Sequence, residues 1–162
     1  MAVRTKRRTE PAGAAEPGDP ELEESEGMIS LDVRDYMATE LVTLGPEEDL
    51  LAAANMLIEH DISGAPVVDG DGRMVGILTE RDCLQAALQA EYYGTRGGLV
   101  REFMSVDVES VAPNESILKI AAMFIKGSYN RYPVVEDGRL VGQISRLDVM
   151  RALRRRYQSN VR

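Results

Sequence analysis

Two stretches of the chain place a glycine, a hydroxyl and a carboxylate at one fixed spacing. The first is Gly76-Ile77-Leu78-Thr79-Glu80-Arg81-Asp82, and the second is Gly142-Gln143-Ile144-Ser145-Arg146-Leu147-Asp148. Both read Gly-x-x-[Ser/Thr]-x-x-Asp, leaving an apolar extended segment and entering a helical pattern. At that junction the hydroxyl residue can cap the helix. The free N–H groups and the positive end of the dipole suit an anion such as phosphate. The carboxylate three residues on lies one turn into the helix, on the same side. There it can accept hydrogen bonds from a vicinal diol, as a ribose presents. The glycine lets backbone or ligand approach with no Cβ in the way. A single Ser/Thr-x-x-Asp is also an ordinary capping arrangement. Its recurrence at equivalent places favours a binding role.

The places are equivalent because the chain is duplicated: residues 33–87 and 100–153 are two copies of one unit. Val33-Arg34-Asp35-Tyr36-Met37 matches Val100-Arg101-Glu102-Phe103-Met104, and Pro66-Val67-Val68 matches Pro133-Val134-Val135. A one-residue deletion in the following turn shifts the register, after which Val75-Gly76 matches Val141-Gly142. Each copy reads β-α-β-β-α. A short extended piece (Leu41 to Thr43; Val108 to Val111) leads to Pro46 or Pro113, which suits a helix start, and Asn114 is a good N-cap. The helix that follows has apolar residues at i, i+3, i+4, i+7 spacing: Leu50, Ala53, Ala54, Leu57, then Ile117, Ile120, Ala121, Phe124. Two short strands follow, joined by Asp69-Gly70-Asp71-Gly72 or Glu136-Asp137-Gly138, residues that tolerate the positive φ of tight hairpins. A helix from Glu80 or Arg146 ends each copy.

The organisation expected is a disordered tail over 1–29, a repeat over 30–90, a glycine-rich linker over 91–99, a repeat over 100–157 and a short tail over 158–162. The first tail, with its basic head and acidic run, has too little apolar surface to offset its ordering entropy. Units of about 55 residues are marginal alone, and the short linker favours pairing of the two copies. The chain has two Phe and no Trp, so the core is expected to be Val, Leu, Ile, Ala and Met.

A net charge of −8 argues against general affinity for nucleic acid or anionic membrane. The one cysteine, Cys83, makes no internal disulfide or Cys-rich metal site and fits a cytoplasmic setting. No apolar run reaches the roughly 18 residues of a membrane span. The sequence holds a single histidine, His60, and neither a nucleophile elbow nor a P-loop. It reads as a non-enzyme.

The tandem β-α-β-β-α copies, the Val-Arg-Asp-x-Met opening, the Pro-Val-Val strand and the two Gly-x-x-[Thr/Ser]-x-x-Asp endings together resemble a cystathionine-β-synthase (CBS) domain pair, or Bateman module, over residues 30–157. The resemblance implies an α/β (α+β) fold in which the repeats pack as a pseudo-two-fold pair with clefts between them. It implies a stand-alone regulatory module, commonly a homodimer, that binds AMP, ADP, ATP or S-adenosylmethionine and signals energy state to a partner protein. No further cofactor and no metal are implied. A ligand-free scaffolding module is the alternative. By position, Asp82 and Asp148 would hold ribose, and Thr79 and Ser145 phosphate. Ile62 to Ala65 and Tyr129 to Tyr132 would line the adenine pocket, with Thr43 and Ser110 ending the first strands.

The copies differ in charge. Arg131 stands where copy one has Gly64, and Arg146 where it has Glu80. Guanidinium matches phosphate well, so charge alone directs polyphosphate toward Ser145, Arg146 and Arg131. If each cleft draws on both copies, Arg131 can equally serve the ligand held by Asp82.

Overall fold

The computed structural model describes residues 29–95 and 97–161; the expected disordered tail therefore lies, but for Ile29, outside the described residues. Repeat one contains α1 (Leu50–Glu59), β1 (Gly64–Val68), β2 (Met74–Thr79) and α2 (Glu80–Tyr93). Repeat two opens with the short α3 (Val100–Phe103) and continues with α4 (Ile117–Lys126), β3 (Arg131–Glu136), β4 (Arg139–Ser145) and α5 (Arg146–Ser159). A 3₁₀ turn, Val33–Asp35, takes the place of α3 in repeat one. Helices packed on small antiparallel hairpins make an α+β fold, the class expected.

The expected first strands shrink to single parallel bridges, Leu44 to Val67 and Val111 to Val134. Each adds one rung beside its hairpin, β1–β2 or β3–β4. The turn in β3–β4 has Asp137 at φ 52° and Gly138 at φ 78°, the two positive values of a type I′ turn. The caps of the first helices are Asp49 and Ser116, whose side chains accept from Ala52 N and Leu118 N. Asn114 is therefore not the cap. It sits in the turn before Ser116, and Pro46 and Pro113 likewise occupy turns ahead of their helices. α2 runs three residues into the expected linker, to Tyr93, and stops at Gly94 in the left-handed conformation.

The copies defined by sequence and the cores defined by packing do not coincide. Val33, fully buried, joins Val111, Ile117, Ile120, Phe124, Tyr132 and Ile144 in the core of repeat two. Val100, equally buried, joins Leu44, Leu57, Val67 and Leu78 in the core of repeat one. Each opening segment thus crosses to the other copy. Val33 N and Arg34 N donate to the carbonyls of Glu115 and Pro113, and Val100 N and Arg101 N donate to those of Glu48 and Pro46. A buried valine contributes roughly 1.5–3 kcal/mol, so the exchange ties the repeats together. The hairpin tips also meet: Met74 N donates to Gly138 O and Leu140 N to Gly72 O, with equivalent residues Arg73 and Arg139 bridged. The symmetric pairs of contacts define the pseudo-two-fold relation. Two aromatic residues enter the second core beyond the aliphatic set expected, Phe124 and Tyr132, whose ring centroids lie 4.8 Å apart.

Candidate ligand cleft between the repeats

The two Gly-x-x-[Ser/Thr]-x-x-Asp endings fold alike. Thr79 caps α2 and Ser145 caps α5 in reciprocal capping boxes. Oδ2 of Asp82 accepts from Thr79 N at 2.8 Å and from Thr79 Oγ1 at 2.9 Å, while Asp82 N donates back to Thr79 Oγ1 at 3.3 Å. The Ser145–Asp148 pair repeats these bonds at 2.9, 2.8 and 3.2 Å. One carboxylate oxygen of each motif is therefore spent on the helix start. The second oxygen differs. Oδ1 of Asp148 accepts from Arg151 Nη1 at 3.1 Å, whereas Gln85 stands at the equivalent place in copy one. Among the described residues Asp82 Oδ1 makes no hydrogen bond.

The motif glycines have a different task from admitting ligand. A Cβ at Gly76 would lie 2.7 Å from Met104 Sδ and 2.8 Å from Ser105 O. At Gly142 it would lie 2.6 Å from Met37 Sδ and 2.8 Å from Ala38 O. Both are crossing points of the exchanged segments, where Ile77 bridges Ser105 and Gln143 bridges Ala38. The glycine and the opening methionine are two halves of one contact.

A cleft of about 330 Å³ opens between the copies. Ser63, Gly64, Ile77 and Thr79 line it from repeat one, while Ser105, Asp107, Glu109, Tyr129, Arg131 and Gln143 line it from repeat two. Arg131 thus reaches the cleft of Thr79, although it is also the strand neighbour of Ser145. Among the described lining residues it is the one cation, and it shares the cleft with Asp107 and Glu109. No motif marks those carboxylates in the sequence. Their signal was the alternation Asp107-Val108-Glu109, which puts both on one side of an extended segment.

The other candidates divide between this cleft and other parts of the molecule. Tyr129, half exposed, rests on Tyr132 with centroids 5.5 Å apart. Tyr132 and Ala65 are buried, in the cores of repeat two and repeat one respectively. Burial, joined by the charge of Glu109 and the neighbouring Tyr129, pushes the Tyr132 phenol above its ordinary range, with Arg146 opposing. Arg146, exposed at the start of α5, lies 5.9 Å from the centroid of the Phe124 ring. Ile62 borders a groove between α1 and α2. Ser110 borders a small recess of about 140 Å³ beside Gly76, and Thr43 is exposed ahead of the Leu44 bridge. Cys83 is half-buried; burial first, then the charge of Asp82, raises its thiol pKa.

Tandem α+β repeats with exchanged openings and hydroxyl–carboxylate helix starts are matched by the family model of the CBS domain at residues 33–89 and 100–155. The chain belongs to the CBS domain family. It is 33% identical over 123 residues to hypoxic response protein 1 of Mycobacterium tuberculosis, covering 74% of this chain and 83% of that protein. An uncharacterized protein of Methanocaldococcus jannaschii is 28% identical over 77% of this chain, which spans only 44% of that relative's length. Among solved structures, CBSX2 in complex with AMP superposes with a TM-score of 0.67 at 27% identity, over 78% of this chain and 98% of that one. The CBS domain pair of protein MJ0100, in complex with 5′-methylthioadenosine and S-adenosyl-L-methionine, gives 0.61 at 28% identity over 75% and 94%.

Proposed function

We propose that this CBS pair is a non-enzymatic regulatory module of the cytosol that binds an adenosine nucleotide in the cleft between its repeats. The observation that carries the reading is the meeting of Thr79 from one repeat with Arg131 and Tyr129 from the other in a single cleft. Arg131 and the α2 start would take phosphate, Asp82 Oδ1 the ribose hydroxyls, and the Tyr129 ring the adenine face. The complexes of CBSX2 with AMP and of MJ0100 with adenosyl ligands support that ligand class. The Ser145–Asp148 site would be the weaker one, because Arg151 already occupies Asp148. Ligand bridging the repeats would change their relative setting, and a partner protein would read that change.

The module would work as a homodimer. Leu51, Ile58 and Leu84 on repeat one and their equivalents Leu118, Ile125 and Met150 on repeat two are all large, apolar and exposed. Such faces mark interaction surfaces.

Calorimetric titration with AMP, ADP, ATP and S-adenosylmethionine tests the reading. Binding by the wild type is expected to weaken about tenfold, roughly 1.4 kcal/mol, in Arg131→Ala, a residue that caps no helix. The same loss in Asp82→Asn with a melting temperature near wild type would assign the carboxylate. Folded protein that takes up no adenosine ligand would leave the ligand-free scaffolding module in its place.

A further inference from the structure

The two helical faces carry matching apolar residues and opposite charge. α1 and α2 bear Glu59, Glu80, Asp82 and Glu91 against Arg81, a net −3. α4 and α5 bear Lys119, Lys126 and five arginines against Asp148, a net +6. The reversal is positional. Glu59 is replaced by Lys126 and Glu80 by Arg146 at equivalent places in the repeat, all four exposed. Some of these charges border the apolar patches directly. Glu80 and Asp61 border the groove holding Ile58 and Leu84, and Arg154 borders the one holding Met150 and Tyr157.

A second copy can cover both faces of a first in two ways about a two-fold axis. In a parallel pair each repeat meets its own counterpart, setting acidic face on acidic and basic on basic. In an antiparallel pair repeat one meets repeat two at both contacts. The apolar contacts are alike in either, since the patches occupy equivalent positions. Charge then decides, because like charges brought together at an interface oppose association and opposite ones favour it.

We propose that this chain pairs antiparallel with a second copy of itself, the acidic α1–α2 face of one protomer on the basic α4–α5 face of its partner. The inference rests on the dimer proposed above and gives it a polarity that sequence similarity between the repeats conceals.

The test is disulfide trapping in a Cys83→Val background, valine being the residue at the equivalent position 149. Ile58→Cys and Ile125→Cys each place one thiol at a highly exposed patch position. Under mild oxidation each variant alone is expected to stay largely uncoupled, while an equimolar mixture gives a covalent dimer containing one of each. Self-coupling of both single variants, with no gain in the mixture, would overturn the proposal and leave the dimer parallel. Sedimentation adds an independent reading. Raising NaCl from about 0.05 to about 1 M should weaken the dimer about tenfold by screening the attraction. Glu59→Lys combined with Glu80→Arg should weaken it similarly at low salt. A dimer tightened by salt, or indifferent to the double variant, contradicts antiparallel pairing. A monomer at all concentrations removes the dimer and its polarity together, and nucleotide titration of that monomer still decides the cleft separately.

Discussion

Repeat one and repeat two share a backbone and divide at their surfaces. The positions that hold the fold are kept: Val33 and Val100, Val67 and Val134, Leu78 and Ile144 are buried pairs. Where a buried position does change, another compensates. Tyr132 replaces Ala65, and its hydroxyl reaches Met123 O and lies 3.0 Å from where a Cβ at Gly127 would be. Glycine at 127, where copy one has His60, makes room for that larger ring. At exposed positions no such constraint operates, and there the charges reverse. Duplication followed by divergence has left one scaffold presenting two chemically distinct sides, a cleft with one arginine and two helical faces of opposite sign.

The comparison breaks most readily at the crossing points. Gly76→Ala and Gly142→Ala each drive a methyl against a backbone carbonyl and a methionine, and overpacking of this kind costs about 3 kcal/mol. Urea denaturation should give nearly equal losses for the two. Unequal ones would mean that the exchanged segments do not carry equal weight. Next come Val33→Ala and Val100→Ala, each expected to cost about 2 kcal/mol. Their signature is location: Val100→Ala should speed hydrogen exchange in β1 and β2, and Val33→Ala in β3 and β4, each in the copy to which the residue does not belong by sequence.

Smaller effects sharpen the contrast between the motif sites. Thr79→Ala and Ser145→Ala remove caps worth about 1 kcal/mol each, and thermal unfolding should report similar losses. Adding AMP should separate them, since Thr79 alone of the two lines the cleft with Arg131. The smallest effect concerns Cys83 against Val149. The thiol pKa is raised in the folded state, so its contribution to stability is present below the unfolded cysteine value, about 8.5, and fades as pH rises through the folded value. Cys83→Val should therefore flatten the alkaline decline in stability by a few tenths of a kcal/mol. An unchanged decline would assign it to other groups, Tyr132 first among them.

The cleft was only half legible in sequence. Thr79, Asp82, Ser145 and Asp148 stand out because a hydroxyl and a carboxylate three residues apart at a strand–helix junction form a local pattern, repeated once. The partners Asp107, Glu109 and Arg131 come from the other copy, and nothing local ties them to Thr79. The assignment of phosphate to the neighbourhood of Ser145, Arg146 and Arg131 followed charge along the chain. The fold keeps Arg131 beside Ser145 in the β3–β4 pair and also puts it in the lining of the Thr79 cleft, while Arg146 stands 5.9 Å from the Phe124 ring.

By itself the sequence determined the doubling, the order of elements, the helix-start motifs and the asymmetry of charge, because the first and last show in residue identities compared at a fixed offset and the others in local period and motif. Only the tertiary structure decided that each opening segment completes the core of the other copy, that the motif glycines serve this crossing, and that Asp82 keeps an oxygen which Asp148 gives to Arg151. The first two rest on contacts between residues of different copies, far apart in the chain, where two similar halves offer each segment two equivalent places to pack; the third rests on a side-chain contact within one turn of α5. The close approach of Met37 to Gly142 and of Met104 to Gly76 records which place was taken.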